Sequence, residues 1–161
     1  MKVVSNTTPL IGLAVIHRFD LLRRFFDEIV IPQAVYDEAV VSGREIGGAK
    51  QEILAVNWVK VAPVQDRLAV EVLLDELDLG EAETIVLARE LGADWALMDE
   101  RKGRRKLTQL NQPKIGTFGI LLKAKQSGLL STLRPELEAL RQNGFSISQQ
   151  VANEVLRQAG E

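Results

Sequence analysis

A chain of 161 residues that is 46% hydrophobic and 26% charged has the balance of one globular domain, which excludes a disordered tail and a fibrous repeat. It has no cysteine and one histidine, so disulfides, thiolate nucleophiles, sulfur-held zinc and multi-histidine metal sites are excluded, and any metal must be held by oxygen. A net charge of −2 does not advertise a nucleic-acid partner, although a locally basic face is compatible with it.

Val3-Val4 is a β-branched strand signal, and Asn6-Thr7-Thr8-Pro9 reads as its passage into a helix capped by an amide or hydroxyl. That helix turns Leu10, Leu13 and Ala14 inward and ends near His17, a lone histidine suited to a surface or structural role. Asp20 is expected to cap a second helix through Phe26, with Arg23 and Arg24 facing water or a partner. Ile29-Val30-Ile31 is the apolar triplet of a strand covered on both faces, closed by Pro32. Helical spacing over Gln33 to Val41 puts Val35 and Ala39 inward and Glu38 about one and a half turns in.

Ser42-Gly43 and Gly47-Gly48 mark a loop, a helix runs through Ile53-Leu54, and Trp58–Val61 is an alternating strand ended by Pro63. Helices are expected over Arg67–Leu77 and Glu81–Leu91, separated at Gly80. Then come a strand Trp95–Met98, a basic helix from about Glu100 to Leu110, a brief strand Lys114-Ile115, and a helix to Lys125 that Thr117 can cap. Helical segments Arg134–Gln142 and Ser148–Gln158 close the sequence, joined at Asn143-Gly144.

Short apolar strands alternating with helices, with almost no hairpin signal, predict an α/β fold. The expected architecture is a three-layer α/β/α domain with a central, mainly parallel sheet of about four to five short strands. Residues 1–161 then form a single domain, with 131–161 as appended C-terminal helices that cover the core or meet a partner. Neither GxGxxG nor GxxxxGK[ST] occurs, so dinucleotide and P-loop phosphate binding lack support. Polar residues interrupt the first apolar segment, and no run reaches the roughly 20 residues of a membrane span, so a cytoplasmic protein is expected.

Strand ends lead to Asn6, Glu38, Asp99 and Thr117, and Glu81 opens a helix. Parallel strands would bring these to one edge, where convergent carboxylates repel and call for a positive ion such as oxygen-liganded Mg²⁺. Each also has an ordinary reading: Asn6 or Asp99 as a helix cap, Glu38 as an exposed helical acid, and Glu81 and Glu83 as first-turn acids opposing the helix dipole. Directly after Asp99 stand Arg101, Lys102, Arg104, Arg105 and Lys106, either a solvated face or a track for a phosphodiester backbone.

The segments VVSNTTPLIGLA, IVIPQAVYDEAV, LGEAETIVLARELGADWALMDE and KIGTFGILLKAKQSGLL occur in this order, and together they resemble the PIN-domain family. The resemblance spans roughly residues 1 to 130 and is closest to small prokaryotic PIN proteins of the VapC toxin branch. It implies a Mg²⁺- or Mn²⁺-dependent endoribonuclease whose acids bind metal and activate water. The family's acidic positions fall on Asn6, Glu38, Glu81 and Asp99, with Thr7 and Thr117 at supporting polar positions and Glu83 and Glu100 outside the metal's immediate ligands. It also implies an RNA substrate, a small antitoxin protein as partner and a homodimer, and the basic segment after Asp99 then offers Arg101, Lys102, Arg104 and Arg105 as RNA contacts.

Asn6 departs from the family's aspartate: its oxygen can ligate a metal, but it lacks charge and cannot act as a base. The alternative is therefore a PIN-like module of weak or no catalytic activity that binds RNA or a protein. A receiver-type phosphoryl-transfer domain would need an acidic pair after the first strand, which Asn6 and its neighbours do not supply.

Overall fold

The computed structural model describes residues 1–161 and contains a five-stranded sheet: β1 (Val3–Ser5), β2 (Ile29–Pro32), β3 (Val59–Ala62), β4 (Trp95–Leu97) and β5 (Lys114–Ile115). Every pairing is parallel and the order across the sheet is β3-β2-β1-β4-β5. The α/β/α reading holds, with helices on both faces, because side chains of a buried strand alternate between two apolar layers. Val3, Ile29, Ile31 and Leu97 enter one core, whereas Val4, Ala96 and Met98 enter the other.

The first core receives α1 (Thr7–Val15), α2 (Asp20–Phe26), α8 (Thr117–Gln126), α9 (Arg134–Gln142) and α10 (Gln149–Gln158), through pairs such as Leu10 and Leu13, Ile120 and Leu121, and Leu137 and Leu140. It also takes Val35 of α3 (Gln33–Tyr36) and Ile53 of α4 (Lys50–Ala55). On the opposite face lie α5 (Arg67–Leu73), α6 (Leu79–Leu91) and α7 (Arg101–Gln109), which supply Val70, Ile85, Leu87 and Leu107. The last two helices share the first core with the strands, and the buried Glu136 of α9 takes hydrogen bonds from Arg18 at 2.8 Å and 3.2 Å. No helix is long and apolar enough to cross a membrane.

Several helix starts differ from their sequence expectation for local reasons. Asn6 occupies the cap position of α1 without a capping hydrogen bond, and Asp20 is the first residue of α2 instead of its cap. The helix expected to reach Leu77 stops at Leu73, its start capped by Asp66, which accepts from the Ala69 N–H. Helix α6 starts at Leu79, so Gly80 lies inside it; Asp78 and Glu81 form a reciprocal capping box that fixes the start. At α8 the cap position belongs to Gly116, and Thr117 is the first helical residue, its hydroxyl engaged elsewhere.

Candidate functional site

The chain runs from β1 outward to β2 and β3, then returns to the other side of β1 for β4 and β5. The strand order thus reverses between β1 and β4, and ligands of open parallel sheets bind beyond the carboxyl ends at such a point. Asn6 follows β1 and Asp99 follows β4, so the topology puts both at this crevice.

Asp99 is the most firmly held side chain there. Its Oδ1 accepts the backbone N–H of Thr117 at 2.7 Å, and its Oδ2 accepts the Thr117 hydroxyl, also at 2.7 Å. Gly116 lies against it so closely that a Cβ there would stand 2.6 Å from Asp99 Oδ1. Burial pushes the Asp99 carboxyl above its ordinary range; the Thr117 hydrogen bonds and Arg104 pull the other way, and Glu100 adds to the rise. Arg104 donates from Nη1 to the Met98 carbonyl at 2.8 Å, which keeps the cation beside the aspartate. A cleft of about 640 Å³ opens here, and Asp99, Glu100, Arg104, Lys114, Thr117 and Phe145 contribute to its lining.

The other expected residues lie near one another through contacts of their chain neighbours. Asn6 is buried, and its Nδ2 lies 3.5 Å from the Met98 sulfur, adjacent in sequence to Asp99. The next residue, Thr7, donates its hydroxyl to Glu38 Oε2 at 2.7 Å. Glu38 sits in a π-helical turn (Asp37–Val41) that extends α3, a wide turn of the kind frequent at functional sites. Its carboxylate presses on Gly80, whose Cβ, if present, would be 2.6 Å from Oε1. Glu81 comes next and is buried, but its Oε1 accepts the Asp78 N–H at 2.9 Å. Burial raises the Glu81 carboxyl above its ordinary range, with Asp78 and Glu100 adding repulsion.

These neighbours are Glu81, Glu38, Asn6, Asp99 and Thr117, yet nowhere do three carboxylate or histidine groups gather closely enough to hold one metal ion. Each acid instead has its own donor, which relieves the repulsion of convergent charges. Glu83 is separate: it accepts the Ala34 N–H at 3.0 Å and pairs with Arg67 at 2.8 Å, which caps α3 where Pro32 has no side-chain donor or acceptor. Glu100 takes the Thr8 hydroxyl at 3.0 Å on the rim of the cleft. Of the basic block, Arg104 lines the cleft, while Arg101, Lys102 and Arg105 are exposed on α7, and Lys106 turns toward Glu76 at 3.7 Å. Sequence reasoning did not single out Lys114 or Phe145; both reach the cleft only through tertiary packing.

A parallel sheet with an acid clamped at its switch point and cations in the same cleft defines an α/β domain equipped to bind a charged ligand. A family model described as a PIN domain matches residues 2–161, and the chain belongs to the PIN-domain family. No curated protein matches the sequence. PIN domains have a nuclease fold and are generally metal-dependent nucleases.

The donors fit such a metal in kind. Asn6, Glu38, Glu81 and Asp99 offer only oxygen, as a hard divalent ion requires, and the Asn6 amide nitrogen is turned to Met98, which leaves its Oδ1 without a protein donor. They are neighbours but not converged, so Glu38 and Glu81 would have to leave Thr7 and Asp78 to share one ion with Asp99.

Proposed function

We propose that the protein is a Mg²⁺- or Mn²⁺-dependent endoribonuclease, a single PIN domain over residues 1–161 with 131–161 as appended helices. We further propose that it is the cytoplasmic toxin of a toxin-antitoxin pair of the VapC type, a homodimer silenced by a small antitoxin protein. The observation that carries the nuclease reading is the Asp99 carboxylate, clamped by Thr117 at the switch point in a cleft that also holds Arg104 and Lys114.

Asp99, Glu38 and Glu81, with the oxygen of Asn6, are the residues that would hold the ion. When bound, a divalent ion supplies a water nucleophile at neutral pH and offsets charge on phosphorus oxygens. The chain does the rest. Thr117 fixes both oxygens of Asp99, so the carboxylate meets its ligand in one orientation. Arg104 and Lys114 neutralise phosphates in the cleft, and Arg101, Lys102 and Arg105 extend the positive surface along α7. Thr7 restrains Glu38, and Asn6 cannot accept a proton as a carboxylate would, because its amide is not basic.

The second reading, a PIN module that binds RNA or protein without efficient turnover, is favoured by the absence of a three-carboxylate cluster together with the neutral Asn6. Asn6→Asp separates the two readings. It should tighten Mn²⁺ binding by about tenfold in calorimetric titration and raise the cleavage rate of single-stranded RNA. Equal Mn²⁺ affinity and equal rate in the two proteins would count against a metal site beside residue 6.

A further inference from the structure

The loop between α9 and α10 returns over the carboxyl edge of the sheet, and Phe145 and Ser146 line two cavities at once. One is the cleft with Asp99, Arg104 and Lys114; the other, of about 450 Å³, contains Glu38 and Arg44. The Phe145 ring stands next to the clamp, since a Cβ built on Gly12 would lie 3.6 Å from Phe145 Cε1 and 3.3 Å from Thr117 Oγ1. The loop is pinned in place. Phe145 N–H donates to the Leu140 carbonyl at 3.0 Å, and Arg141 donates from Nη2 to the Ile147 carbonyl at 2.9 Å. Gly144, at φ 92°, makes the turn just before the ring.

Phe145 is partly buried: it packs against the first core and still contributes to the lining of both cavities, between exposed neighbours Gly144 and Ser146. The aromatic pairs of the chain are Phe19 with Trp58 and Phe25 with Phe26, so Phe145 has no aromatic partner of its own. Arg44 and Lys114, one in each cavity, make no salt bridge. An aromatic side chain shared by two cavities, each of which also holds a cation, fits the pattern that binds a single strand: the base stacks, and the neighbouring phosphates meet the positive charges.

We propose that Phe145 is a stacking platform for one base of a single-stranded RNA, with the adjoining phosphates lying toward Arg104 and Lys114 on one side and Arg44 on the other. This deepens the nuclease reading and rests on it for the choice of RNA. It also gives the last two helices a part in the site beyond covering the core.

The test is fluorescence anisotropy of a labelled single-stranded oligoribonucleotide and its duplex, in EDTA so that no cleavage intervenes, with the full chain and its Phe145→Ala, Phe145→Leu and Phe145→Tyr variants. Circular dichroism checks the fold, and Phe145→Leu decides if Phe145→Ala does not fold. Alanine and leucine should weaken single-strand binding by about 5- to 150-fold, tyrosine should restore it, and duplex binding should be unchanged. The proposal is overturned if leucine binds like the wild type, if single-strand and duplex binding fall together, or if the wild type does not bind single strands. Phe145-dependent binding without metal-dependent cleavage would sink the nuclease and leave the platform; cleavage with Phe145-independent binding would do the reverse.

Discussion

Asp99→Asn is expected to reduce RNA cleavage by about 100-fold or more while the protein stays folded, because it removes the charge of the carboxylate proposed to hold the ion. The fold should survive. An asparagine Oδ1 can still accept the Thr117 N–H, and its amide can donate to the Thr117 hydroxyl, so both contacts are replaced in kind. Stability should shift with pH in a definite direction. Burial raises the Asp99 carboxyl above its ordinary value of 3.8, so the folded state holds this proton more tightly than the unfolded chain does. The stability from that proton is fully present below the ordinary value and is lost as pH rises through the raised one. At neutral pH the partly desolvated charge is a burden, and the variant should resist urea better than the wild type. Its advantage should shrink as the pH approaches 4. A variant that cleaves RNA at the wild-type rate would remove Asp99 from the chemistry, and a pH-independent stability difference would contradict the burial argument.

The second large effect is expected at Gly116. A methyl there would stand 2.6 Å from Asp99 Oδ1, 3.2 Å from Arg104 Nη1 and 3.3 Å from the Met98 carbonyl oxygen. Arg104 can give at its flexible end, but the Met98 carbonyl is backbone and Thr117 holds both Asp99 oxygens. Gly116→Ala should therefore cost about 1–3 kcal/mol in urea unfolding through overpacking. It should also lower cleavage by about 10- to 100-fold by displacing Asp99 from Thr117. Gly80→Ala is the informative contrast: its methyl would meet Glu38 Oε1 at 2.6 Å, so the exposed Glu38 should give up the Thr7 hydroxyl that now holds its other oxygen at 2.7 Å, while the Asp99–Thr117 contacts stay intact. A Gly116→Ala protein as stable and active as the wild type would show that the close approach is not needed.

The strands and most helices are legible in the sequence because they are local: β-branched and apolar runs such as Val3-Val4 and Ile29–Ile31 are read from neighbours alone. The start of α6 is less so: Gly80 reads as a break and puts the start at Glu81, whereas the reciprocal capping of Asp78 and Glu81 starts the helix at Leu79 and takes the glycine inside. What the residues do with their polar groups is less legible, because partners are chosen by the tertiary fold. Thr117 has the sequence of a helix cap and gives its hydroxyl to Asp99 instead; Glu83 resembles any first-turn acid and is the cap of a different helix, α3. The place of Asp99 depends on strand order, which no local pattern encodes, and Phe145 reaches the cleft only because the α9–α10 loop folds back over the sheet edge.

The proposed metal-dependent ribonuclease activity has one direct measurement. Purified protein is incubated with an end-labelled single-stranded RNA in Mn²⁺ or Mg²⁺, and in parallel with EDTA. Discrete internal cuts that need the divalent ion are the predicted result. Intact RNA under both conditions, or the same cuts in EDTA, would contradict it.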